Sequence, residues 1–172
     1  SNFVEIVGDF AVAEDVPSGD VVVLIENATA TLTGGPFTAT VSETNIGMLL
    51  PDSGGYALYG DGNFALSGGD LVSITGTAFL RDNTSSQVLP GGTYTVGGVS
   101  VTVSPVPVEF REVSGHVTGS LANFVTLDTD FGLEKQANGD LLLIAADGTA
   151  ALTAGPFSAT VTGAPSSCSF SC

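Results

Sequence analysis

Along most of the chain, apolar residues recur at every second position rather than at helical spacing. In "GGVSVTVSPVPVEF", Val99, Val101 and Val103 fall on one side of an extended strand. Beyond Pro105 the apolar set moves to Val106, Val108 and Phe110, so the parity slips by one. Proline cannot donate to a ladder, and the slip predicts an edge position or a bulge. The longest run free of Gly and Pro, Asp20 to Thr33, is crowded with β-branched residues. Val, Ile and Thr lose side-chain freedom on a helix and pack well on a pleated sheet. Turn signals ("DSGG", "GDGN", "SGGD", "LPGG", "ANGD") recur every ten residues or so. The pattern predicts an all-β fold, an antiparallel β-sandwich of jelly-roll type or a barrel.

One stretch is written twice. "SGDVVVLIENATATLTGGPFTATV" at 18–41 and "NGDLLLIAADGTAALTAGPFSATV" at 138–161 share twelve of 24 residues. Upstream, "NFVEIVGDF" at 2–10 parallels "NFVTLDTDF" at 123–131. Residues 2–41 and 123–161 therefore read as two copies of a unit of about 40 residues within one domain spanning 1–172. A central β segment, 43–122, separates them, and a cysteine-containing tail occupies 163–172. Phe37 and Phe157 follow a Gly-Pro bend in each copy and are expected to be buried plugs. What varies between the copies is polar: Asn27 becomes Asp147, and Glu26 becomes Ala146. A unit that keeps its apolar positions and changes its polar ones reads as scaffold, not as a duplicated catalytic site.

Charge narrows the function classes. Charged residues make up only 12% of the 172, and the net charge is −15. Three Lys plus Arg cannot form the basic patch that phosphate contacts require, and no nucleic-acid partner is expected. The same sign disfavours anionic membrane surfaces, and no run approaches the ~20 apolar residues of a membrane helix. The mean hydropathy of +0.40 nevertheless calls for a covering layer, for which neighbouring subunits or glycans are the candidates.

Catalytic chemistry is weakly represented, and no enzyme is expected. His116 is the sole histidine and lacks the G-x-S-x-G context of a nucleophile elbow. Pairs such as Asp128 and Asp130 could serve a glycosidase, but the chain has no Trp and three Tyr with which to line a sugar cleft. No cofactor is implied apart from calcium, for which Asp52, Asp61 and Asn63 supply oxygen among flexible glycines. Asn27 and Asn83 head N-glycosylation sequons. Cys168 and Cys172 suit a disulfide, local or between subunits, in an oxidising compartment. A chain opening at Ser1 without Met is what processing of a secreted protein leaves.

Together these features predict an extracellular or cell-surface protein whose partners are copies of itself, as in a filament, pilus-like fibre, tube or coat. Strand donation is the expected mechanism, with the N-terminal segment adding to a neighbour's open sheet edge. Phe3, Ile6 and Phe10 are its anchors, with a bulge at Gly8 accommodating their imperfect parity. The alternatives are a carbohydrate-binding or adhesin module, which would need exposed aromatics, and a virion coat or decoration protein.

Overall fold

The β-branched run from Asp20 to Gly34 forms the longest strand, β2. The computed structural model describes residues 4–69, 72–122, 125–135, 141–154, 157–163 and 166–170, and places β2 second in a large antiparallel sheet. Before it lies β1 (Val4–Asp15), and after it come β3 (Phe37–Leu50), β4 (Ala57–Gly68) and β5 (Val72–Asn83). The path continues through β8 (Arg111–Leu121), β9 (Val125–Lys135), β10 (Leu141–Ala154) and β11 (Phe157–Thr162). A tenth strand, β12 (Ser166–Phe170), shares with β11 the far side of β10. Between β5 and β8 the chain leaves the sheet to form a two-stranded hairpin, β6 (Gly92–Val96) and β7 (Val99–Val103). The all-β antiparallel expectation holds, and no helix occurs among the described residues.

The hairpin makes the core. Val101 and Val103 point down onto β2, β3 and β4, where they seal Leu24, Ala57 and Tyr59 from solvent. Gly47 permits this approach, because a Cβ there would lie 2.5 Å from Val103 Cγ1. Pro105 ends β7 outright instead of bulging it. Past the break, buried Val106 forms an isolated bridge to Leu89. Asn83 ties this crossover together: its amide donates to the carbonyls of Gln87 and Val106, at 2.8 and 3.1 Å. Its Oδ1 accepts from Ser85 N–H at 2.9 Å and from Ser85 Oγ–H at 2.8 Å.

One expected turn is strand instead. Gly60 and Gly62 of "GDGN" lie within β4. Opposite them β3 loses register between Ser42 and Asn45, where Glu43 adopts φ of 51°. A Cβ on Gly62 would meet Thr44 Oγ1 at 2.7 Å, so glycine here answers to a bulge on the neighbouring strand.

Alternation gives the sheet two unlike faces. The face under the hairpin is apolar there and turns to Thr, Asp, His and Ser along β5, β8 and β9. The opposite face is apolar across the sheet except for a charged row at one end, Asp82, Arg111 and Lys135. Ile6 and Phe10 stand on it in β1, Val41 in β3, Leu80 in β5, Val113 in β8 and Leu127 in β9. Here aromatic rings lie across glycines of the next strand, Phe37 over Gly68 and Phe64 over Gly76.

Pairing in β9–β10 repeats that of β1–β2 when β9 is offset by 121 residues and β10 by 120. Phe10 faces Ile25 and Phe131 faces Ala145, while Val7 faces Thr29 and Asp128 faces Thr149. Both ladders slip in the same place, between Val7 and Asp9 in one and between Ala146 and Thr149 in the other. The correspondence extends past the matching sequence. Val21 pairs with Leu50 and Leu141 with Phe170, so β11 and β12 together occupy the positions of β3.

Candidate assembly surface

Strand β1 carries the predicted anchors. Its inner edge is hydrogen-bonded to β2, and its outer edge has no partner among the described residues. The ladder slips at Gly8, as the imperfect parity requires, because a Cβ there would sit 2.9 Å from Ala28. Ile6 and Phe10 consequently project from the apolar face, 72% and 65% exposed. Phe3 lies outside the described residues.

The apolar face is open along its whole width. Leu32, Val41, Leu80, Leu133 and Leu152 are each more than a third exposed, and so is Phe37, which is not the expected buried plug because its ring lies over Gly68 on this open face. Between β3, β4 and β5 the face dips into a trough of about 350 Å³ lined by Val41, Ile46, Leu58, Phe64 and Leu80. Thr44 Oγ1 is buried there without a hydrogen-bond partner. Sequence reasoning placed anchors only in the first strand and missed the face. The signal was available as apolar residues at every second position in β3, β4, β5, β8 and β9, but which parity faced the hairpin was not.

On the other face, residues proposed for calcium are separated. Asp52 lies in the turn before β4, its N–H donating to Asp20 Oδ1 at 3.0 Å. Asp61 and Asn63 stand in mid-β4 beside Glu43 and Asn45. There the amides satisfy the carboxylates directly: Asn63 Nδ2 donates to Glu43 Oε2 at 2.6 Å and Asn45 Nδ2 to Asp61 Oδ2 at 3.4 Å. The three residues therefore do not form one site, and among the described residues no group of three or more His, Cys, Asp or Glu side chains is arranged to hold a metal ion.

His116 stands on β8 opposite Asp130, its Nδ1 2.7 Å from Asp130 Oδ1 and its Nε2 3.4 Å from Asp128 Oδ1. All three side chains are well exposed, the arrangement of a solvated cross-strand cluster. Tyr59 is buried, and burial pushes its phenol above the usual value. Tyr56 donates its hydroxyl to Asp82 at 2.8 Å, a bond that raises its pKa, while Tyr94 donates to the Pro90 carbonyl at 2.9 Å. Arg111 also binds Asp82, and that bond holds its guanidinium pKa above the ordinary value. With Tyr59 buried, the three tyrosines do not form one exposed platform.

The two sequons part company. Asn27 is exposed at the β2 bulge, with φ of 52°. Asn83 is 2% exposed with its amide nitrogen donating twice, so the folded protein leaves no free nitrogen for a glycan there. Cys168 belongs to β12 opposite Leu143, and Cys172, hence the pair, lies outside the described residues. No protein-family model, curated protein or solved structure matches the chain.

Proposed function

We propose that this protein is a self-assembling structural subunit of an extracellular filament, tube or coat, built on a duplicated β unit. The observation that carries the reading is the uncovered apolar face. Its large side chains expose on the order of 1,000 Å², taking roughly 150–250 Å² for a large ring and about half of each residue open. The largest apolar patch on an ordinary monomer is ~300–600 Å², whereas a stable interface covers ~800 Å² per partner. A surface of this size favours a partner, and the faces of neighbouring copies are the match. The second layer of the expected sandwich is then intermolecular. Charge supports this geometry, since the carboxylates of Asp61, Asp128 and Asp130 lie on the opposite face and Asp82, on the apolar one, is paired with Arg111. The shared register of β1–β2 and β9–β10 supports duplication of the unit, and an exposed Asn27 is compatible with an extracellular setting.

Sedimentation and negative-stain electron microscopy of the full chain at micromolar concentration test the reading. Ordered polymers are expected, and Val41→Lys combined with Leu127→Lys should disperse them without changing the far-ultraviolet β signal. A wild-type protein that stays monomeric, or a double variant that polymerises equally well, overturns it.

A further inference from the structure

The matched registers say more about the outer edge of β1. In β9 the equivalent edge is occupied: it pairs with β8 from Leu121↔Val125 to Arg111↔Lys135. Transferring that register by 121 residues sets β1 against a β8 strand with Phe10 opposite Gly115, Asp9 opposite His116 and Glu14 opposite Arg111. We infer that β1 of one copy pairs with β8 of a second copy in the place and register of that copy's own β9. This rests on the self-assembly reading and gives it a joint.

Three observations favour the exchange. Charge is the first. In the chain's own ladder, Arg111 stands opposite Lys135 and Glu112 opposite Glu134, two like-charge positions. Like charges directly across a ladder are destabilising. With β1 in place Arg111, already bound to Asp82, meets a second carboxylate in Glu14, and Glu112, already bound to Arg81, meets Ala13 instead of Glu134. Side-chain fit is the second: Phe10 takes the position of Phe131 across from Gly115, and Asp9 that of Asp130 across from His116. The hinge is the third. Ala122, directly after β8, holds φ of 49°, a left-handed backbone that costs a non-glycine residue energy. The product is one continuous sheet in which each copy contributes β1 to β5 and β8.

Cross-linking tests the joint. In a Cys168→Ser, Cys172→Ser background, Ala11→Cys with Ser114→Cys places thiols opposite each other only between copies. Within one chain four strands, β2 to β5, intervene between β1 and β8, a separation of roughly 24 Å at ~4.8 Å per spacing. Oxidised polymers of this variant should run as a covalent ladder on non-reducing gels. A Ser114→Cys, Gly132→Cys variant, which reports β8–β9 within the chain, should lose intrachain closure as polymers form. Glu14→Arg should raise the concentration needed for assembly by roughly five- to tenfold. Polymers that form without the ladder and retain full Ser114→Cys–Gly132→Cys closure overturn the joint while leaving self-assembly standing. A chain that never polymerises overturns both.

Discussion

Leu24 in β2 and Ile144 in β10 hold the same place in two matching ladders, opposite Ala11 and Gly132 respectively. Leu24 is sealed, and Ile144 is 38% exposed. The difference lies in what covers them. Val101 and Val103 of the β6–β7 hairpin close over β2, β3 and β4, whereas no described residue takes that role over β10. Identical ladder geometry therefore does not make a core. Backbone pairing organises both regions, but burial stabilises only the one with a second layer.

Truncating the two residues should expose that inequality most directly. Leu24→Ala removes a fully buried side chain beneath a hairpin that cannot collapse around the gap, and should cost about 2–5 kcal/mol. Ile144→Ala removes a side chain already open to water and should cost under about 1 kcal/mol. Urea unfolding of the two variants measures both. Equal losses would mean that β10 is covered after all, and the contrast between the regions would fall.

A smaller effect is expected from making β3 resemble its counterpart. Gly47 pairs with Leu24, and the residue in the same relation to Ile144 is Ser167. Gly47→Ser places atoms within 2.5 Å of Val103 Cγ1 and should cost roughly 1–3 kcal/mol by overpacking. Adding Val103→Ala should recover part of that loss, so the double variant is less damaged than the two single variants combined. Strict additivity, measured by chemical denaturation, would show that the hairpin does not press on Gly47.

Much of this was legible beforehand, and the limits are physical. Alternation and β-branching located β2 because local sterics choose strand over helix. Repetition at 2–41 and 123–161 fell where the registers coincide, but the sequence match stops at Val161 while the pairing match runs to Phe170. Backbone hydrogen bonds in β12 do not depend on side-chain identity, so "SSCSF" can sit where "IGMLL" sits and leave no trace in an alignment. The "GDGN" segment looked like a turn because glycine at a bulge and glycine at a bend have the same sequence signature. Asn83 looked like a modification site, and only its four hydrogen bonds, made across the crossover, reveal a structural role. Grouping Asp52 with Asp61 and Asn63 failed for a related reason, since nearness in a glycine-rich sequence is not nearness along an extended strand.

The smallest expected effect separates the two regions by pH. All three tyrosines, Tyr56, Tyr59 and Tyr94, belong to the segment between β3 and β7, and β9 to β12 contain none. Tyr59 and Tyr94 are both raised above the ordinary phenol value of 10.0, chiefly by burial. Between that value and the higher one in the folded chain, the unfolded chain has released protons that the folded chain retains. Stability should therefore be level below about pH 10 and fall as pH climbs beyond it. Tyr59→Phe removes one of the three raised phenols, Tyr56 being held up by its bond to Asp82, and should flatten the decline while leaving urea midpoints near neutrality within a small margin of wild type. Midpoints measured from pH 9 to 11.5 decide the point: a decline of undiminished slope in Tyr59→Phe would place the alkaline weakness outside the hairpin-covered core, and with it the claim that this core holds the stability.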